Sequence, residues 1–250
     1  MAEIPSRLEL ITKVTLHKRL HKPKIPVDVV KWRVKMEPEF IDLYKDTFRL
    51  IEKVVKNVLF LVEKILENYK VRFPKKIVIS PSPEEFVVST ACGRYDADEQ
   101  VIYLYATSFL SARYASLSAL KGWAELKGLK EDFADEGSRY ATEFFIVYYL
   151  MHELGHHIIH LKYPEVAERL HEPYRHEEEE MMADTFADIY TIPLIYAHLD
   201  CDDSKFKKFV EYVSVVNYEL THSTPDELLQ LAKYWLADIF AGGTYELASR

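Results

Sequence analysis

Two histidines and a glutamate are spaced along the chain as a zinc hydrolase requires. The segment HELGH places His152 and His156 four residues apart, with Glu153 between them. On an α-helix, residues i and i+4 project from the same face, so both imidazole rings can bind one metal ion. Glu153 is offset by about 100° around the helix and can reach a water molecule on that ion. The spacing therefore predicts a zinc site in which Glu153 is the catalytic general base.

A catalytic zinc ion takes three protein ligands and one water molecule, so a third ligand must come from another part of the chain. A third histidine at the spacing of the metzincin motif is excluded, because Ile159 and Lys162 stand where that motif has glycine and histidine. The segment HEEEEMMADTFA provides a glutamate instead. Glu180 is followed at i+4 by Asp184, so Glu180 can bind zinc while Asp184 accepts a ring N–H from a ligand histidine.

Glu180 belongs to a run of four glutamates, residues 177–180. Neighbouring residues on a helix point in different directions, so at most one of the four can bind the metal. The E-x-x-A-D pattern favours Glu180, because Ala183, three residues later, keeps the contact between the two helices close. Glu179 and Glu177 are the alternative ligands.

Other polar residues give weaker indications of a role in the predicted zinc site. His160, one turn beyond His156, either supports the zinc ligands by hydrogen bonding or is an ordinary core or surface histidine. His157 points in another direction. The later histidines have no spacing that requires a metal: His171, His176, His198 and His222. Amide hydrolysis also needs a side chain that stabilises the oxyanion, and the sequence does not choose among the candidates Tyr190, Tyr196, His198 and Tyr218.

The two motifs resemble those of the glutamate-type zincin metallopeptidases, and in particular the ImmA/IrrE-like group. In that group H-E-L-G-H is followed by apolar residues and a further histidine, and then by a helix with E-x-x-A-N/D-x-F-A. This chain has HELGHHIIH at 152–160 and EMMADTFA at 180–187. The sequence GRY at 93–95, followed by VIYLY, is similar to the group's edge strand. The resemblance covers roughly residues 86–200, and the N-terminal third matches no family pattern.

The motifs and the resemblance lead to the expectation of a zinc metallopeptidase. A zinc-activated water would attack the peptide bond of a protein or peptide substrate, with Glu153 as general base. The strand VIYLY at 101–105 could offer its edge to an extended peptide. One alternative is a catalytically weak zincin-like protein that binds a regulatory partner. The other is a nucleic-acid-associated regulator that uses a basic segment at residues 1–36.

Helices must position most of these residues. Apolar residues recur at helical spacing in six segments: 38–70, 108–126, 139–160, 176–199, 203–220 and 224–240. The last helix has Thr224 as its N-cap and Pro225 at the first helical position. A polar loop is predicted at 127–138.

Short strands complete the expected fold. β-branched and aromatic residues predict strands at 75–80, 86–90 and 100–105, with a turn at 91–99. Residues 1–36 are predicted to form short strands or a basic irregular arm, and residues 37–250 a single zincin-like domain. The fold class is therefore α+β and helix-rich. Its small mixed or antiparallel sheet packs against the HExxH helix and a following glutamate-bearing helix.

Composition restricts the remaining possibilities. The net charge of −8 over 250 residues argues against general nucleic-acid binding. No apolar run is long enough to predict a membrane span, and the first residues lack the apolar core and cleavage site from which a secretory signal would be predicted. The two cysteines, Cys92 and Cys201, form no CxxC motif, so a reducing, cytoplasmic location is expected. Abundant Glu and Lys with few amides indicate a heat-adapted source. The sequence gives no indication of oligomeric state.

Overall fold

The computed structural model describes residues 6–30, 38–81, 92–129, 132–167 and 176–245. Helices make up most of these ranges, and the strands form one small mixed sheet. The helices are α1 (Arg7–Leu20), α2 (Pro38–Tyr69), α3 (Ala106–Lys127), α4 (Asp132–Lys162), α5 (Pro164–Ala167), α6 (His176–His198), α7 (Asp203–Val216) and α8 (Pro225–Ala241). The strands are β1 (Val27–Val29), β2 (Lys76–Ser80), β3 (Gly93–Asp96) and β4 (Val101–Tyr105). The predicted helix-rich α+β class is confirmed.

The sheet has the strand order β1-β2-β4-β3. β1, β2 and β4 run parallel, whereas β3 pairs antiparallel with β4. The prediction of an open edge at β4 is wrong, because β4 is paired on both sides and β3 is the outer strand among those described. The turn predicted at 91–99 is also wrong in extent. Gly93–Asp96 is extended, and the chain reverses just before β4 at Gln100, whose φ is 56°.

Several elements lie where the sequence predicts them. This holds for α2, α3, α6 and α8 and for the strands β2 and β4. The N-terminus of α8 is confirmed, because the Glu227 backbone N–H donates to the Thr224 hydroxyl and Pro225 follows the cap. The helix predicted at 203–220 ends earlier, and a 3-10 turn at Tyr218–His222 leads on to α8. The strand predicted at 86–90 lies outside the described residues.

The N-terminal segment differs from its prediction of short strands or an irregular arm. In its described part, Arg7–Leu20 forms the helix α1 and Val27–Val29 forms the short strand β1. Ser6 and Glu9 form a capping box, in which the backbone N–H of each residue donates to the side-chain oxygen of the other. Leu10 and Val14, one turn apart, are buried in the core. The cap and this burial outweigh the strand preference of the β-branched residues.

The start of α4 also differs from its prediction. The helix begins at Asp132, within the segment predicted as a polar loop. A Cβ on Gly137 would lie 2.7 Å from Tyr212 Cδ1 on α7 and 2.9 Å from Leu120 Cδ1 on α3. Gly137 is therefore a packing position inside a helix, where two neighbouring helices come close, rather than a loop residue.

α4 is the central element of the fold. It packs against α2, α3, α6 and α7, and it also contacts β3 and β4. Phe144, Ile146, Val147 and Leu150 are buried, as their apolar spacing predicts. The helix that carries HELGH is thus enclosed by other elements on most of its circumference. Among the described helices, none combines the length and the apolar character needed to cross a bilayer.

α4 and α6 come into close contact at Gly155. A Cβ on this residue would lie 3.0 Å from the Ala183 Cα and 3.3 Å from the Ala183 Cβ. The two small residues therefore allow the helices to approach each other where the motif residues lie. This agrees with the close helix contact that Ala183 predicts.

Replacing Gly155 with valine is expected to destabilise the protein by about 1–3 kcal/mol, because the added atoms overpack against the α6 backbone. Urea-induced unfolding measures this change. The control is Gly122→Ala on α3, where a Cβ meets no atom within 4 Å. That change should instead stabilise the helix by about 0.5–1 kcal/mol. A Gly155→Val protein as stable as the wild type would contradict the close packing of α4 and α6.

Candidate metal centre

The structure brings His152 and His156 on α4 together with Glu180 on α6. One possible ligand atom from each of the three lies within 4.8 Å of the others. The Nε2 atoms of the two histidines are 3.1 Å apart. The Glu180 carboxylate oxygens lie 3.2 Å from His152 Nε2 and 3.6 Å from His156 Nε2. These are the three residues that the sequence predicts as metal ligands.

The spacing of these donor atoms fits a single zinc ion. Two nitrogens bound tetrahedrally at about 2.0–2.1 Å from zinc are separated by about 3.3 Å. The observed separation of the Nε2 atoms is 3.1 Å, and the nearer nitrogen–oxygen separation is 3.2 Å. Two imidazoles and one carboxylate are also the donor set of several catalytic zinc sites. The residues present therefore fit the metal that the sequence predicts.

Hydrogen bonds on the far side of each ring fix its tautomer. His152 Nδ1 lies 2.9 Å from Asp184 Oδ1, and His156 Nδ1 lies 2.6 Å from Glu179 Oε1. A carboxylate only accepts, so each Nδ1 carries a hydrogen and each neutral ring has its lone pair on Nε2. Two lone pairs facing each other at this distance repel unless a cation or a proton lies between them. The site is thus arranged to hold positive charge.

Asp184 has the contact that its spacing predicts, and it has a second one. It accepts the hydrogen bond from His152, and the Tyr148 hydroxyl donates to the same carboxylate at 3.1 Å. The sequence indicates only a packing role for Tyr148, because it lies in an aromatic run. Its position one turn before His152 was the available signal for this contact.

Glu179, an alternative ligand in the sequence, lies behind His156 instead. It is buried, and its Oε1 lies 2.6 Å from His156 Nδ1 and 3.2 Å from His160 Nε2. It therefore orients one candidate ligand and does not face the Nε2 atoms. His160 supports the site through Glu179. Glu177, the other alternative, is exposed.

The charge state of the acidic residues favours cation binding. Burial raises the pKa of Glu179, but hydrogen bonds from His156 and His160 outweigh it and lower that pKa to about 2. Hydrogen bonds from His152 and His156 likewise lower the pKa of Glu180. Both carboxylates are therefore ionised at neutral pH. Burial lowers the pKa of His156, while its bonds to Glu179 and Glu180 raise it to about 10, so a proton occupies the site in the absence of metal.

Glu153 lies beneath the strand β3. A Cβ on Gly93 would be 2.7 Å from Glu153 Oε1, so the carboxylate occupies space that only a glycine on the strand leaves open. Burial raises the pKa of Glu153 to about 7, against the lowering effect of His156, His152 and a backbone hydrogen bond from Tyr95. A carboxylate with a pKa near neutrality can both take up and release a proton at that pH.

The candidate oxyanion-stabilising residues make other contacts. The Tyr190 hydroxyl lies 3.2 Å from that of Tyr69, and the Tyr196 hydroxyl donates to Asp203. His198 contacts Asn57 and Glu143. The side chain of Tyr218 lies outside the described residues. This role therefore stays unassigned.

We expect Glu179→Ala to weaken zinc binding about 10- to 100-fold, because His156 loses the acceptor that fixes its ring. Competition with a chromophoric chelator measures the affinity. Glu177→Ala, an exposed change two residues earlier on α6, is the matched control and should bind as the wild type does. Equal affinities for Glu179→Ala and the control would contradict the orienting role of Glu179.

Comparison with protein-family models, with curated proteins and with solved structures returned no match to this chain.

Proposed function

We propose that the protein is a zinc-dependent metallopeptidase with a zincin-like core. One observation carries this proposal. Nε2 of His152, Nε2 of His156 and the Glu180 carboxylate surround one point, and both Nδ1 atoms are occupied by carboxylates. The buried Glu153, which a purely structural zinc site would not need, supports catalysis. The motif resemblance to the ImmA/IrrE-like zincins points to the same function.

The proposed division of roles follows from the contacts. A zinc ion held by His152, His156 and Glu180 would supply Lewis acidity and lower the pKa of water to about 7. Glu153 takes the proton of the attacking water and passes it to the leaving amine, which its pKa near neutrality allows. Asp184 and Glu179 hold the two imidazole rings in the required orientation.

The peptide is proposed to bind along β3. Tyr105 N–H donates to Cys92 C=O, so by antiparallel alternation the backbone groups of Arg94 also face β4. Those of Gly93 and Tyr95 then face away from β4, where the Tyr95 N–H bonds to Glu153 and the carbonyl oxygens could accept from a peptide. This outward edge lies beside Glu153, so an extended peptide added to it would pass over the candidate site.

The proposed function is tested with the zinc-loaded protein and a mixture of unmodified peptides. Mass spectrometry identifies any new termini, and a parallel sample contains an excess of a zinc chelator. Cleavage that the chelator abolishes and added zinc restores is the expected result. Absence of cleavage across a diverse peptide mixture, with zinc bound, would contradict the proposal.

A further inference from the structure

His157 makes two hydrogen bonds that do not involve the candidate metal ligands. It is fully buried, and its Nε2 lies 2.8 Å from the Arg72 carbonyl oxygen. A carbonyl only accepts, so His157 Nε2 carries the hydrogen. In the neutral ring Nδ1 is then an acceptor, and the Tyr95 hydroxyl, 3.0 Å away, donates to it. The His157 side chain thus connects α4 to Tyr95 on β3 and to the backbone at Arg72.

Tyr95 connects this contact to the proposed catalytic base. Its hydroxyl bonds to His157, and its ring lies edge-on to the His157 ring at a centroid distance of 5.2 Å. The backbone N–H of the same residue bonds to Glu153. His157 and Glu153 are therefore both in contact with a single residue of β3.

β3 needs such a connection because of its position in the sheet. It has four residues, and among the described strands it pairs only with β4. Short strands at a sheet edge open at a low free-energy cost. Arg72 lies between α2 and β2, on the other side of His157, so the histidine is itself held in place.

We propose that His157 is a positioning residue, which holds β3 in register against Glu153 through the Tyr95 hydroxyl. The effect on catalysis rests on the proposed metallopeptidase function, whereas the anchoring of β3 does not. His157 is not a catalytic residue in this account, because neither of its ring nitrogens faces Glu153 or the candidate metal ligands.

The test compares Tyr95→Phe with Tyr103→Phe. The first removes the hydroxyl that bonds to His157 and keeps the ring, and the second removes a hydroxyl on β4 that bonds to the exposed Glu99. Amide hydrogen exchange of the zinc-loaded protein is followed by NMR. In Tyr95→Phe the β3 amides of Arg94 and Asp96 are expected to exchange about three- to tenfold faster, because the loss of one hydrogen bond makes opening of the strand easier by about that factor. Tyr103→Phe should match the wild type.

Two further readouts separate positioning from simple destabilisation. In Tyr95→Phe, kcat for a peptide that the wild type cleaves should fall at saturating substrate, with zinc affinity unchanged. The double variant Tyr95→Phe/His157→Gln should exchange no faster at β3 than His157→Gln alone, because both changes break the same connection.

Each outcome decides the proposal. Wild-type exchange at β3 in Tyr95→Phe would overturn the anchor, and faster exchange with unchanged kcat would overturn the positioning role. If the zinc-loaded wild type cleaves no peptide, the proposed function fails, and the exchange comparison still decides whether His157 anchors β3.

Discussion

Replacing Glu153 with glutamine is expected to lower peptide hydrolysis about 10²- to 10⁴-fold while the zinc content stays at the wild-type level. Glutamine has the same shape as glutamate, so it fits beneath Gly93, but its amide cannot take a proton from water. Glu153 is not among the three residues whose ligand atoms converge. The variant should therefore bind zinc and lose turnover.

Initial rates on the same peptide, with zinc measured in parallel, provide the comparison. Glu177→Gln is the matched control, because it makes the same chemical change at an exposed position on α6. Glu153→Gln activity within a factor of a few of this control would rule out Glu153 as the general base.

Stability gives an independent check on the environment of Glu153. In the metal-free protein burial raises the pKa of Glu153 to about 7 from its ordinary value of 4.5. Folding therefore disfavours the ionised form, so the contribution of Glu153 to stability falls as the pH rises from 4.5 through 7. The glutamine variant has no such group, so the stability difference between the two proteins should shift in favour of the variant across this range.

Replacing Glu180 with alanine is expected to abolish the stabilisation that zinc gives to the wild type. Zinc at 100 times its Kd stabilises a folded protein by about 2.7 kcal/mol. For a chain of this length that corresponds to a rise in Tm of about 5–10 °C. Without the Glu180 carboxylate two imidazoles remain, and the same zinc concentration should produce little shift.

Thermal unfolding with and without zinc measures both proteins. Glu177→Ala serves as the control, because it removes a neighbouring exposed carboxylate and should keep the full zinc-dependent shift. A full shift in Glu180→Ala would show that another group completes the site. Peptide hydrolysis should be lost together with the shift.

The positions of the candidate ligands were predictable because they depend on local geometry. His152 and His156 share a helix face at i and i+4, and Glu180 and Asp184 share another. Each pair therefore follows from the sequence once the two helices are recognised. Ala183 supplied the remaining information, since a small residue marks where two helices can approach closely.

Contacts between distant elements were less predictable. Glu179 lies in a run of identical residues, so its burial behind His156 depends on how α6 is rotated against α4. Tyr148 lies in an aromatic run whose spacing equals that of ordinary core residues. The order of the strands is likewise non-local, and VIYLY is as consistent with a central strand as with an edge.

The predictions for the start of α4 and for α1 were wrong, because tertiary packing and a helix cap outweighed the local sequence preference. Gly137 has the sequence signature of a loop, yet its missing side chain makes room for Tyr212 and Leu120. In α1, β-branched residues indicate strands, whereas the Ser6–Glu9 capping box indicates a helix start. Local caps and packing determined the observed structure in both cases.

The most direct test of the zinc site is the metal content of the purified protein by elemental analysis, beside His152→Ala and Glu180→Ala. The proposal predicts about one zinc ion per wild-type chain and its loss in both variants. A wild-type protein that contains no metal, and takes up none when zinc is supplied, would contradict both the metal centre and the proposed peptidase activity that depends on it.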